Sequence, residues 1–262
     1  LPGVASGDFA EIYAALAQGR TPAITRALPM IAVPTTAGTG SEVTPWATLW
    51  DRTSAQHQKY SLHLAQTWPE AALVDPALTL SLPHTVTRDS NLDALSHALE
   101  AIWNVNANPV SDGLALQAAQ TVVRHLPALL DNPGSVELRT MASRASLLAG
   151  LAFSNTKTAL AHNISYEMTL KHGLSHGLAC SFTLPMVWRL AWGKRPDRDA
   201  VLQQVFGAQE TDPASALDRF LASVGVSSDF KDHGVTPQEA QDMLERAMQG
   251  PRGRNFIQSA LA

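Results

Sequence analysis

The chain has 262 residues, 45% of them hydrophobic, and its 19 Lys plus Arg against 23 Asp plus Glu give a formal charge of −4. That length buries one large core or two smaller ones, and the composition is far from that of a disordered chain. No block of like charge suits a phosphate backbone or an anionic membrane, so nucleic acid is not an expected partner, and the single cysteine, Cys180, excludes an internal disulfide.

No stretch approaches the roughly 18 consecutive apolar residues of a membrane span, and Asp8 and Glu11 interrupt what a signal peptide would keep apolar. A membrane is therefore not an expected partner, and the cytoplasm is the default location. Residue 1 is a leucine with no initiator methionine before it, which leads us to expect a preceding segment.

In chain order, the pattern from Asp8 to Gln18 is helical. The apolar run Met30-Ile31-Ala32-Val33, stopped by Pro34, reads as a buried strand. A loop of small and hydroxylated residues follows, Pro34-Thr35-Thr36-Ala37-Gly38-Thr39-Gly40-Ser41-Glu42, then short strands over Ala47 to Trp50 and Ala71 to Val74. Beyond Pro83 long helical patterns take over. Asp212-Pro213 opens a helix with Leu217, Phe220, Leu221 and Val224 on one face, closed by Gly225. Thr236 and Glu239 form a capping box for the next helix, which ends at Gly250. The expected fold is α/β plus α, with residues 1–83 as the later part of an α/β domain and residues 84–262 as an all-helical domain.

Chemistry concentrates in the helical part. Asp93 and His97 lie four apart in a helical pattern, hence on one face one turn apart. Taken alone, such a pair reads first as a hydrogen bond from His97 to Asp93 and only second as two metal ligands. Three of the nine histidines, His162, His172 and His176, then fall within fifteen residues, with His162 in a helical run and His176 in a loop that can return its imidazole to the same point. One carboxylate and three imidazoles suit Fe(II) or Zn(II) better than Mg(II) or Ca(II).

Asp-x-x-x-His, then His followed fourteen residues later by His-Gly, with Pro-Thr-Thr-Ala-Gly-Thr-Gly-Ser-Glu upstream, resembles the iron-containing (group III) alcohol dehydrogenase family from about Pro29 to Pro185. The resemblance implies the architecture shared with dehydroquinate synthase: a dinucleotide-binding α/β domain followed by a helical metal-binding, catalytic domain. It implies that Asp93, His97, His162 and His176 are the metal ligands. Thr35, Thr36, Thr39 and Thr44 would line the pyrophosphate and nicotinamide ribose of NAD or NADP, and Lys59 would also contact the cofactor. Read without the family, each threonine is an ordinary turn hydroxyl. Gly38-Thr39-Gly40 is not a dinucleotide fingerprint, because Val43 occupies the third glycine position. The implied activity is metal-dependent hydride transfer between a small alcohol or aldehyde and the nicotinamide, with His172 as a candidate proton relay or else a partly exposed loop histidine.

Departures are informative. Many members carry a further histidine four residues after the third ligand, where this chain has Tyr166, leaving either Tyr166 or another group to handle the proton. A glycine common two residues before the first ligand is Asn91 here, which also tolerates a left-handed backbone. The family's strand-rich nucleotide-binding region of about a hundred residues, with a Gly-Gly-Gly-Ser loop, would precede Leu1. The segments around Lys157–Tyr166 and His172–Cys180 look most like the branch containing phosphonoacetaldehyde reductases, implying a small aldehyde with an anionic group, near which Lys157, Lys171 and Arg144 could supply positive charge. Two other readings are weighed beside this one: metal-activated water for hydrolysis, and a truncated, catalytically incompetent fragment that binds metal. A homo-oligomer is left open.

Overall fold

The computed structural model describes residues 9–22, 28–51 and 58–257. The chain divides into two compact units, one of residues 1–34 with 41–74, the other of residues 35–40 with 75–262.

In the first unit, α1 (Phe9–Ala17) buries Ile12 and Ala15. Asp8, with which the helical pattern opens, lies outside the described residues. β2 (Trp46–Asp51) and β3 (Gln58–His63) form an antiparallel pair in the register Trp46 opposite His63. Leu62 of β3 is buried, and the Tyr13 hydroxyl of α1 donates to Asp51 Oδ2 at 2.7 Å. β1 (Ile31–Ala32) pairs in parallel with β4 (Ala71–Ala72). Two sequence expectations change here. Met30–Val33 was expected as a buried strand, yet Ile31 is 70% exposed and Val33 44%, because among the described residues β1 has β4 as its one strand neighbour. β3 was not anticipated, since Lys59, Ser61 and His63 dilute its apolar signal.

The second unit is built around α2 (His84–Ile102). Every residue from Asn91 to Ile102 is buried, as befits a helix packed on several sides. It packs against α3 (Pro109–Asp131), α4 (Val136–Thr156), α5 (Leu160–Lys171) and α6 (His176–Ser181). Leu92, Leu95, Leu99 and Ile102 meet alanines of the neighbours, among them Ala118, Ala145 and Ala149, all fully buried. Small residues there let the helix axes approach closely. α7 (Leu184–Ala191), α8 (Pro196–Leu202), α9 (Pro213–Ser223) and α10 (Pro237–Gln249) complete the unit. The starts expected for the last two are observed: Asp212 accepts from the Ser215 amide, and Thr236 and Glu239 form their capping box. Among the described residues, no helix is long and apolar enough to cross a membrane.

Loop 35–40 belongs to the helical unit, although sequence order puts it among the strands. A Cβ at Gly38 would lie 2.3 Å from the Ser90 carbonyl oxygen of α2, and one at Gly40 2.6 Å from Gly150 Cα of α4, so only glycines permit this approach. The compact helical unit resumes at Asp75, because the turn Pro76–Thr79, capped by Asp75, packs on α4.

Between α4 and α5 the exposed Lys157 adopts φ 68°, ψ 171°, a region nearly confined to glycine that costs about 1–3 kcal/mol. The conformation is held by Asn104 Nδ2 and Thr156 Oγ1, which donate to the Lys157 carbonyl at 3.1 and 3.0 Å. Lys157→Gly is therefore expected to raise stability by about 1 kcal/mol in urea denaturation. Equal or lower stability would mean that the lysine side chain offsets the strain.

Candidate metal centre

Three helices converge on one buried point. α2 contributes Asp93 and His97, α5 His162, and α6 His176 and Cys180. One donor atom each from Asp93, His162, His176 and Cys180 lies within 4.8 Å of all the others. Three of the four ligands expected from the sequence are thus gathered, together with a thiol that the sequence reading passed over. His97 stands beside this group, its Nε2 3.8 Å from Asp93 Oδ1 and its ring stacked between Phe153 and His162 at centroid distances of 4.0 and 4.6 Å. At 3.8 Å the alternative reading, a hydrogen bond from His97 to Asp93, does not apply.

His176 is not in a loop, as expected, but is the first residue of α6. Two contacts set it there. Ser175 Oγ donates to Asp89 Oδ2 of α2. A Cβ on Gly177 would come within 1.9 Å of the Asp89 carbonyl oxygen, so the start of α6 can lie against α2 only because residue 177 is glycine.

Outer contacts orient the imidazoles. His162 Nδ1 is 2.7 Å from Glu100 Oε2, and Glu100 also accepts the amides of Ala159, Ala161 and His162 at 2.8, 2.5 and 3.2 Å. Those amides are the unpaired donors at the start of α5, which favour a carboxylate. With Nδ1–H donated to Glu100, His162 Nε2 presents its lone pair to the cluster. His97 follows the same rule, its Nδ1 3.2 Å from the Gly38 carbonyl oxygen, which turns Nε2 toward Asp93.

Asp93 Oδ1 and His162 Nε2 are buried, face each other across 3.4 Å, and neither makes a hydrogen bond among the described residues. Leaving such atoms unpaired is costly for any fold. Two acceptors aimed at one point, among further oxygen, nitrogen and sulfur donors, fit a divalent cation. Burial opposes a charge on His162, yet Cys180, Glu100 and Asp93 raise its imidazole well above the ordinary value, so its anionic surroundings call for a positive charge that a bound cation would supply in place of a proton. Burial alone would raise the Asp93 carboxyl, but His97, His162 and His176 outweigh it and hold it well below the usual range. Burial pushes His97 down to about 3, with Asp93 opposing, so this imidazole is neutral at pH 7. Burial would raise the Cys180 thiol, yet His162 and His176 bring it down to about 6.

The other anticipated residues are distributed more widely. Tyr166 lies one turn after His162, its ring 5.3 Å from the Arg252 guanidinium carbon, and burial raises its phenol above the ordinary value. His172 caps the C-terminus of α5, half-buried and outside the donor group. Thr35 and Thr39 are exposed and Thr36 half-exposed on the loop that carries Gly38, whereas Thr44 is buried in the first unit. Lys59 sits in β3 opposite Trp50. Lys171 is paired with Glu167 at 2.5 Å, so its charge is already engaged. Glu100 and Cys180 were the residues missed. Each had a positional signal, Glu100 seven residues after Asp93 and Cys180 four after His176, spacings that keep side chains on one helix face.

Comparison with known proteins gives a consistent picture. Residues 87–260 match "Fe-containing alcohol dehydrogenase family, C-terminal", and residues 3–76 match "Iron-containing alcohol dehydrogenase". The crystal structure of sulfoacetaldehyde reductase from Bifidobacterium kashiwanohense in complex with NAD+ superposes with a TM-score of 0.85 at 32% identity, covering 97% of this chain and 66% of that one. The NAD-dependent methanol dehydrogenase of Bacillus methanolicus is 31% identical over 85% of this chain and 60% of its own length. The 1,3-propanediol dehydrogenase of Citrobacter freundii is 31% identical over 84% of this chain and 59% of its own. The chain thus spans about 60% of the length of these curated relatives.

Glu100 is surrounded by donors, so Glu100→Gln would turn an amide NH2 toward at least one of them. Zn(II) affinity, measured by competition with a chromophoric chelator, is expected to fall about 10–100-fold. Wild-type affinity in a folded variant would show that Glu100 does not orient His162.

Proposed function

The chain belongs to the iron-containing alcohol dehydrogenase family, and from that premise we propose that it provides the metal-binding part of a nicotinamide-dependent dehydrogenase or reductase of small alcohols and aldehydes. The observation that carries this reading is the pair of buried, unpartnered atoms Asp93 Oδ1 and His162 Nε2 inside a cluster of further donors. On this reading Asp93, His97, His162 and His176 hold Fe(II) or Zn(II). When bound, the metal supplies Lewis acidity for the substrate's oxygen.

The chain's own residues then have separable tasks. Glu100 and the Gly38 carbonyl keep His162 and His97 in the tautomers that leave Nε2 unprotonated. The buried faces of α2 and α5 exclude water from the donors. Thr35, Thr36, Thr39, Thr44 and Lys59 contact NAD or NADP, a role supported for the loop by the exposure of Thr35 and Thr39. NAD is favoured by the methanol dehydrogenase described as NAD-dependent and by the reductase crystallised with NAD+.

A proton must reach or leave the substrate oxygen, and Tyr166 is the better candidate for holding it. Its phenol, raised by burial, stays protonated at neutral pH, and it lies close enough to feel the charges of His162 and Cys180. His172, at the end of α5, is the alternative. The functional boundary between the cofactor-binding part and the helical part lies between residues 74 and 84, the two positions indicated by compactness and by sequence. For the substrate, a small aldehyde carrying a phosphonate or sulfonate is supported by the likeness to the sulfoacetaldehyde reductase.

His162→Ala is expected to abolish both metal retention and NADH oxidation with short aldehydes, with circular dichroism checking the fold. Undiminished turnover in a metal-free preparation contradicts the reading. Tyr166→Phe is expected to lower kcat by about 10²–10⁴-fold while leaving bound metal unchanged, and an unaltered kcat would assign the proton to another group.

A further inference from the structure

We propose that Arg252 binds the anionic end of the substrate, holding a small aldehyde by its sulfonate or phosphonate oxygens while the carbonyl faces the metal centre. This rests on the reading of the chain as part of an aldehyde reductase. It assigns recognition of the charge to a residue outside the sequence candidates Lys157, Lys171 and Arg144.

Arg252 lies just beyond α10, before the turn Gly253–Asn255, on a segment fixed from both sides. A Cβ on Gly250 would lie 2.2 Å from Asn163 Nδ2, and one on Gly253 2.1 Å from the Ala247 carbonyl oxygen, so this close packing requires glycines. Asn255 Nδ2 donates to the Thr158 carbonyl at 2.8 Å, and the Val105 amide donates to the Asn255 carbonyl at 2.8 Å. The backbone around Arg252 is thus anchored to α5 and to the residues flanking α2 and α5.

The side chain is half-buried, donates from Nη1 to Thr158 Oγ1, and holds its guanidinium carbon 5.3 Å from the centroid of the Tyr166 ring. Among the described residues it forms no ion pair. Nearby cations differ in this respect, since Arg246 and Lys171 both hold Glu167, at 2.9 and 2.5 Å. Taking a guanidinium partly out of water without a carboxylate is costly, and the aromatic face offsets only part of that cost. Thr158 occupies one N–H donor, and those that remain form a planar fork suited to two oxygens of one oxyanion.

Position supplies the link to the centre. Tyr166 follows His162 by one turn of α5, and its phenol feels the charges of both Arg252 and His162. A molecule with its oxygen at the centre and its anion on Arg252 would therefore span Tyr166. The turn that presents Thr158 is strained at Lys157, φ 68°, and such strain gathers at ligand sites. Lys157 and Arg144 are exposed and Lys171 is paired, whereas Arg252 is sheltered and keeps donors to spare.

Binding of the product alcohols tests this without the nicotinamide. Zn(II)-loaded wild type, Arg252→Gln and Arg252→Lys would be titrated calorimetrically with 2-hydroxyethanesulfonate, 2-hydroxyethylphosphonate and 1-propanol, with circular dichroism checking each fold. The wild type is expected to bind an anionic alcohol about 10–100-fold more tightly than 1-propanol, and the two anionic arms show which oxyanion is preferred. Arg252→Gln should abolish that excess and Arg252→Lys, a point charge without the fork, should reduce it. No excess in the wild type, or an excess undiminished in either variant, overturns the proposal. The lysine variant keeps a cation over Tyr166, so unfolding of the glutamine variant does not remove the test. Turnover of propanal with NADH but no anion excess overturns the role of Arg252 and leaves the reductase reading standing. Absence of turnover with every aldehyde overturns both.

Discussion

The helical unit is organised around a carboxylate oxygen and an imidazole nitrogen that have no hydrogen-bond partner among the described residues. Asp93 Oδ1 and His162 Nε2 are buried and unpaired within 3.4 Å of each other. A fold that only maximised stability would pair them or replace them with apolar side chains, since unmet buried polar atoms work against folding. Their persistence at the meeting point of three helices is the physical reason to read the centre as a cation site. The same demand accounts for the surrounding order, because lone pairs must point inward and the outward-facing ring nitrogens must be held.

That order is supplied by backbone as much as by side chains. Glu100 joins α2 to the start of α5 by receiving three amides and one imidazole nitrogen, so a single buried carboxylate both caps a helix and orients a donor. The Gly38 carbonyl does the corresponding task for His97, from a loop that reaches α2 only because residue 38 lacks a side chain. Gly177 lets α6 press on Asp89 and so carries His176 and Cys180 into place. Each of these glycines is a packing requirement with a consequence at the centre a few ångströms away.

Periodicity made part of this legible from sequence. The four-residue spacing of Asp93 and His97 located one helix face, and the cap signals at Asp212 and Thr236 located helix starts, because these features depend on neighbours in sequence. Glu100 and Cys180 were harder to recognise, since a lone glutamate or cysteine on a helix gains meaning only from what another helix brings to it. The allegiance of loop 35–40 to the helical unit was likewise invisible, resting on close approach between Gly38 and Ser90 and between Gly40 and Gly150. The exposure of Ile31 was misjudged because an apolar run shows the preference of a strand for cover and does not show which neighbours it has.

Crystals of metal-loaded protein, with diffraction data collected on both sides of the metal's absorption edge, would test the central claim most directly. The account predicts one anomalous peak within bonding distance, about 2.0–2.3 Å, of Asp93 Oδ1, His97 Nε2, His162 Nε2 and a ring nitrogen of His176. No peak at this point, with Asp93 Oδ1 and His162 Nε2 instead bridged by water, would contradict it.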